Sequence, residues 1–113
     1  MNLSALTRDL LKFRDERNWA QFHTLRNLIV SLNLEAAELL ELTQWKSDAQ
    51  MSELSSEALR DECADVLLYL LLIADKAGID LEDAARSKLE KNAAKYPVEK
   101  SYGSSRKYTQ LED

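Results

Sequence analysis

The sequence predicts an all-α fold, a four-helix bundle followed by a short tail. Three observations carry this. Apolar residues recur at spacings of three and four over long segments, the period of one helix face. Gly (2) and Pro (1) are too scarce for the many tight turns of an all-β domain. Hydrophobic residues are 45% and charged residues 31% of 113 residues, the balance of one globular domain rather than of a disordered chain.

The first helix is expected from about Leu3 to Asn18, with Leu3, Leu6, Leu10 and Phe13 as its apolar stripe. Residues 19–23 form a link, and Thr24 is placed to cap the second helix. That helix is expected to run to about Trp45 through Leu28, Leu32, Leu39 and Leu42. Residues 46–50 read as a loop that extends as far as Leu54. Ser55 or Ser56 caps the third helix, Glu57 sits in its first turn where the dipole favours an acid, and Gly78 ends it. Asp80 caps a fourth helix, with Asp83 three residues on. Pro97 stops it near Lys95. Residues 1–97 make the helical domain. Residues 98–113 have no clear period, and by pattern alone they read as a disordered tail.

The run Val66 to Ala74 is apolar apart from the Tyr69 hydroxyl, but it lies between Asp65 and Asp75. A spanning helix needs about 20 apolar residues, so this is a core segment. A helix that is apolar all round must be covered on several sides, which points to a subunit partner. The net charge of −5 argues against nucleic-acid and anionic-membrane binding. The single cysteine excludes an internal disulfide and a Cys-rich zinc site, and Cys63 reads as a small packed residue. The first residues lack a basic stretch followed by an apolar one, so the expected compartment is the cytoplasm.

The chemistry-bearing feature is a repeated spacing. Glu35 and Glu38 are three apart on the second helix; Glu62 and Asp65 are three apart on the third. Residues at i and i+3 share a helix face, so each pair points one way. Both pairs are embedded in apolar sequence. Crowded, partly desolvated carboxylates need protons, basic partners or a metal. If the two helices pack side by side, a hard divalent cation is the natural counter-ion; magnesium takes oxygen ligands, with manganese as the usual substitute. The same pairs also fit ordinary solvated helix faces. Glu41 extends the row, either as a further ligand or as its solvated edge. A di-iron centre would pair Glu with His at i+3, and the one histidine, His23, lies outside both helices.

The order Glu35-x-x-Glu38 … Glu62-x-x-Asp65 resembles the signature of the MazG-like all-α nucleoside triphosphate pyrophosphohydrolases. The segments Trp19 to Leu28, Gln44-Trp45-Lys46, Asp65 to Leu70, Ser87-Lys88, Lys91-Asn92, Tyr96-Pro97 and Ser104 to Thr109 are similar to the dCTP pyrophosphatase branch. The likeness covers nearly the whole chain, the tail included. It implies cleavage of the α–β bond of a nucleoside triphosphate with magnesium, with dCTP or its 5-modified forms as substrate. It further implies a homotetramer with active sites near subunit contacts, and a tail ordered over the site or a neighbouring subunit. Within the superfamily, a broader dNTP or dUTP activity is the alternative. From another class, the alternative is a non-catalytic helical interaction module.

The resemblance assigns Glu35, Glu38, Glu62 and Asp65 to the metal and to catalysis. It places His23, Trp45 and Tyr69 near the nucleoside, although Trp45 also fits a partly buried helix-end anchor, Tyr69 core packing and His23 a structural hydrogen-bonding role. Trp19 and Phe22 read first as packing residues, although either could line the pocket. Lys88, Asn92 and Lys95 share one face of the fourth helix, followed by Tyr96; this face either meets phosphates or is plainly solvated. Arg106 and Lys107 either close over phosphates or belong to a loose tail. Leu25 departs from the family pattern, which expects proline there. The link from Trp45 to Glu57 is also short, and both departures bear on the base pocket rather than on the metal motif.

Overall fold

The computed structural model describes residues 2–112, and no strand occurs among them. There are five α-helices: α1 (Leu3–Glu16), α2 (Leu25–Glu41), α3 (Ser56–Ala77), α4 (Leu81–Lys95) and α5 (Val98–Ser101). Short 3-10 turns lie at Ala20–Phe22, Ala49–Glu53 and Tyr108–Gln110. The all-α expectation therefore holds. The helix count differs by α5, a single turn that Pro97 initiates.

The chain forms two compact units, Met1–Ile79 and Asp80–Asp113. In the first, α3 is the central element, and both α1 and α2 pack against it. The enclosed core is small: Leu28, Leu71, Leu72 and Ala74 among the described residues.

The helix ends follow local chemistry. Asn2 caps α1 by accepting from the Ala5 N–H at 2.8 Å. The helix stops two residues earlier than expected because Asn18 takes a left-handed φ of 54°. There the Asn18 N–H donates to Asp15 O and the Trp19 N–H to Arg14 O, the paired bonds of a left-handed helix stop. Thr24 and Asp80 cap α2 and α4 as their sequence positions predict, and of the two candidate serines Ser55 caps α3. Gly78 closes α3 at φ 69°, with the Ile79 N–H reaching back to Ala74 O at 2.8 Å.

Three expectations are corrected. α2 ends at Glu41, not near Trp45; the chain turns through residues 42–45, and Trp45 itself takes a φ of 67°. Cys63 is exposed rather than packed, since it falls about 100° round the helix from Glu62, which faces inward. The tail also has local order that its sequence pattern does not reveal. In the second unit the Tyr108 ring meets Tyr96 edge-on at 6.0 Å, Lys95 lies 4.8 Å from the Tyr108 ring centre, and Arg106 pairs with Glu112 at 3.1 Å. No helix among the described residues is long and apolar enough to cross a membrane.

Candidate active site

α2 and α3 pack side by side, which brings their two acidic rows together. Glu35, Glu62 and Asp65 offer carboxylate oxygens that lie within 4.8 Å of one another. Glu38 stands outside that tightest triad, but its charge acts on both Glu35 and Glu62. Glu35 Oε2 and Glu62 Oε2 are buried without a hydrogen-bond partner. A buried carboxylate oxygen without a donor is costly.

The electrostatics carry the same message. The Glu35 carboxyl is pushed from 4.5 up to about 6. Burial is the first cause, followed by a hydrogen bond with Glu38 and then the charges of Glu38, Asp65 and Glu62. Glu62 is raised too, by burial first and then by the Glu38 charge. Crowded oxygens without donors fit a hard divalent cation, which neutralises the charge and fills the empty acceptor positions. The donor set is all oxygen, as magnesium or manganese requires, and contains no sulfur or nitrogen.

A cavity of about 190 Å³ opens beside this cluster, between α1, the following turn and α3. Its lining includes Phe13, Arg14, Trp19, His23, Asp65 and Tyr69, over a floor of leucines from α1 and α3. Asp65 thus belongs to both the acid cluster and the cavity. Phe13 and Trp19 meet edge-on with ring centres 5.7 Å apart, so the wall is an aromatic corner. The Arg17 guanidinium stacks on the Phe13 ring at 3.8 Å. The turn itself is fixed by Thr24, which caps α2, and by Asn27 Nδ2 donating to Phe22 O at 3.1 Å. His23 Nδ1 is buried without a partner, and burial together with the Arg14 charge holds the imidazole below its usual range.

The structure therefore brings together the four acids and puts His23 and Tyr69 in one cavity. It does not bring Trp45 there: the side chain is 91% exposed and outside the cavity lining. Lys88, Asn92, Lys95 and Tyr96 lie in the second unit, the first three along one side of α4 with Asn92 the least exposed of them. The sequence favoured packing for Trp19, with the pocket as its alternative, and gave Arg14 no role; both line the cavity. A signal for Arg14 was available, since it stands four residues after Leu10 on the apolar stripe of α1, where a charge is out of pattern.

In this all-helical chain a carboxylate cluster shared between two helices adjoins a small aromatic cavity, so oxygen donors suited to a divalent cation stand beside a space the size of one ring. The sequence matches the MazG-like family over residues 30–111, and the chain belongs to that family. It is 45% identical over 105 residues to dCTP pyrophosphatase 1 of Rattus norvegicus and 43% identical to that of Homo sapiens. Each alignment covers 88% of this chain and 62% of the relative, so the chain spans somewhat under two-thirds of their length. Among solved structures, a pyrophosphatase from Archaeoglobus fulgidus superposes with a TM-score of 0.79 at 43% identity, covering 83% of this chain and 91% of that one.

Proposed function

We propose that this chain is a magnesium-dependent nucleoside triphosphate pyrophosphohydrolase that cleaves the α–β bond of dCTP or a 5-modified dCTP. The observation that carries the reading is the shared position of Asp65, which joins an acid cluster suited to cation-bound phosphates to a cavity suited to a base. Glu35, Glu38, Glu62 and Asp65 would hold the ion, with manganese as a substitute. When bound, the ion neutralises phosphate charge and polarises a water for attack. One of these carboxylates, or Glu41, orients that water and accepts its proton. The water oxygen bonds to the α-phosphorus as the bond to the bridging oxygen breaks, releasing monophosphate and pyrophosphate.

The base enters the cavity against Trp19 and Tyr69, with His23 at its polar edge. By family likeness, Lys88, Asn92, Lys95 and Tyr96 would serve as phosphate-binding residues and Trp45 as a nucleoside-binding one. An acidic protein binding a polyanion needs such local donors as well as the metal. The chain self-associates, as a homotetramer by family likeness, and this reading is supported by its large exposed apolar side chains. Leu34 is 62% and Leu40 69% exposed on α2, and Leu67 and Leu70 of the apolar α3 run stay partly exposed. The cytoplasm is the compartment in which such a nucleotide-pool enzyme works.

The test is direct. The purified chain is incubated with each dNTP, 5-methyl-dCTP and CTP, with magnesium or with EDTA, and the products are separated by chromatography. Metal-dependent dCMP and pyrophosphate, with dCTP or its 5-methyl form fastest, are expected. Leading turnover of dUTP or of all dNTPs alike would replace the substrate by the broader one. No turnover from a folded, magnesium-binding chain would leave a helical interaction module.

A further inference from the structure

The cavity lining contains one permanent cation. Arg14 stands among Leu10, Phe13, Leu68 and Leu72, in a wall that is otherwise mostly apolar. Its side chain is only 21% exposed, so it does not simply extend into water. Asp15 Oδ1 holds Arg14 Nε at 2.8 Å, which fixes the plane of the guanidinium from behind. The two terminal nitrogens form no hydrogen bond within the described residues. Asp75 acts on Arg14 only through its charge. A half-buried guanidinium with a tethered Nε and two unused N–H edges is preorganised for a ligand with two adjacent acceptors.

The size and polarity of the cavity limit that ligand. At about 190 Å³ it is below the roughly 300–1,000 Å³ of pockets for drug-sized molecules, so it takes one ring rather than a whole nucleotide. Its apolar wall suits a base, while phosphates belong with the acid cluster that Asp65 joins to it. Cytosine offers two neighbouring acceptors, N3 and O2, beside a donor at N4. Uracil and thymine replace the N3 acceptor by an N–H, which would meet an Arg14 N–H donor to donor. The unpartnered His23 Nδ1 stands in the same lining to complete the polar edge.

We propose that Arg14 is a specificity-determining residue, which selects cytosine over uracil and thymine by donating from its terminal nitrogens to N3 and O2. This rests on the reading of the chain as a nucleotide pyrophosphohydrolase. The role belongs to a residue of α1, outside the acidic signature.

The experiment measures equilibrium binding of dCMP and dUMP to the full chain by titration calorimetry, followed by kcat/KM for dCTP and dUTP with magnesium. Wild type, Arg14→Ala, Arg14→Gln and Lys12→Ala are compared, with helicity checked by circular dichroism. Lys12 is exposed on the same helix and outside the cavity, so it controls for loss of one charge. Wild type is expected to prefer dCMP by about 5- to 150-fold, the range of one good two-pronged contact. Both Arg14 variants should bring that ratio close to one by weakening dCMP while dUMP binding stays at or above wild type, and Lys12→Ala should keep it. An unchanged ratio in a folded Arg14 variant overturns the inference. So does an equal loss for both nucleotides, which would mean a phosphate or purely structural role, and so does a wild type without preference. If dCMP preference depends on Arg14 but dCTP is not hydrolysed, the inference stands and the pyrophosphohydrolase reading fails. Hydrolysis without base preference gives the reverse.

Discussion

Glu35 on α2 and Glu62 on α3 face each other across the helix pair, each with one carboxylate oxygen buried and unpartnered. Two carboxylates are packed together, and neither buried oxygen has a donor. The chain holds this arrangement against its own folding stability, so the site is strained toward a cation.

The first prediction concerns pH. The Glu35 carboxyl titrates near 6 in the folded chain against 4.5 ordinarily, so the folded state binds the extra proton between those values. Stability of the metal-free chain is therefore highest below pH 4.5 as far as this group is concerned, and is lost as pH rises through 6. Glu62 shifts in the same direction and adds to the effect. Thermal melts in EDTA should show the midpoint falling over that interval, and magnesium should restore it at neutral pH. A midpoint that is flat in pH and indifferent to magnesium would contradict the cluster's character.

Replacing Asp65 by Asn or Glu38 by Ala removes a negative charge from the cluster. Turnover of dCTP should fall by at least about a hundredfold, the upper range for losing even a supporting partner of a metal ligand. The metal-free variants should melt no lower than the parent, because repulsion is relieved. Steady-state kinetics and circular dichroism separate the two effects.

The core is small enough for one leucine to matter. Leu71 is 3% exposed, and Leu71→Ala should cost about 2–5 kcal/mol. Denaturant unfolding reads this as a lower midpoint with a similar slope. Leu40→Asp, on an outward-facing site of α2, should leave helicity intact and reduce the molecular mass measured by sedimentation.

Trp45 combines 91% exposure with a left-handed φ of 67°, an uncommon conformation for a bulky side chain. Asn tolerates that backbone better. Trp45→Asn should thus hold or raise stability by about 1 kcal/mol, while nucleotide affinity falls. Melting curves and calorimetry would detect the opposite signs. A loss of stability would assign Trp45 to packing instead.

Where structure is decided by neighbouring residues, the sequence was readable. Thr24, Ser55 and Asp80 cap the helices they precede, and Gly78 ends α3, because each effect acts over one turn. The acid rows were readable for the same reason, and only the side-by-side packing of α2 and α3 had to be assumed. The end of α2 was not legible, since no Gly, Pro or Asn lies in residues 42–45 to mark the turn. The order of the tail depends on Tyr96 meeting Tyr108 across residues distant in sequence, which leaves no periodic trace. Arg14 was missed because its value lies in what surrounds it: taken alone it is one more charge on a charged helix.

The double membership of Asp65 has a kinetic consequence. In the proposed reaction, a base that seats badly in the cavity would press on a wall that is also part of the acid cluster. Selectivity then registers in the speed of bond cleavage, not merely in occupancy. Under the proposed function, wrong nucleotides would saturate the site and act as slow competitors, so the abundance of poor substrates in a mixture would set the rate at which a good one is cleared.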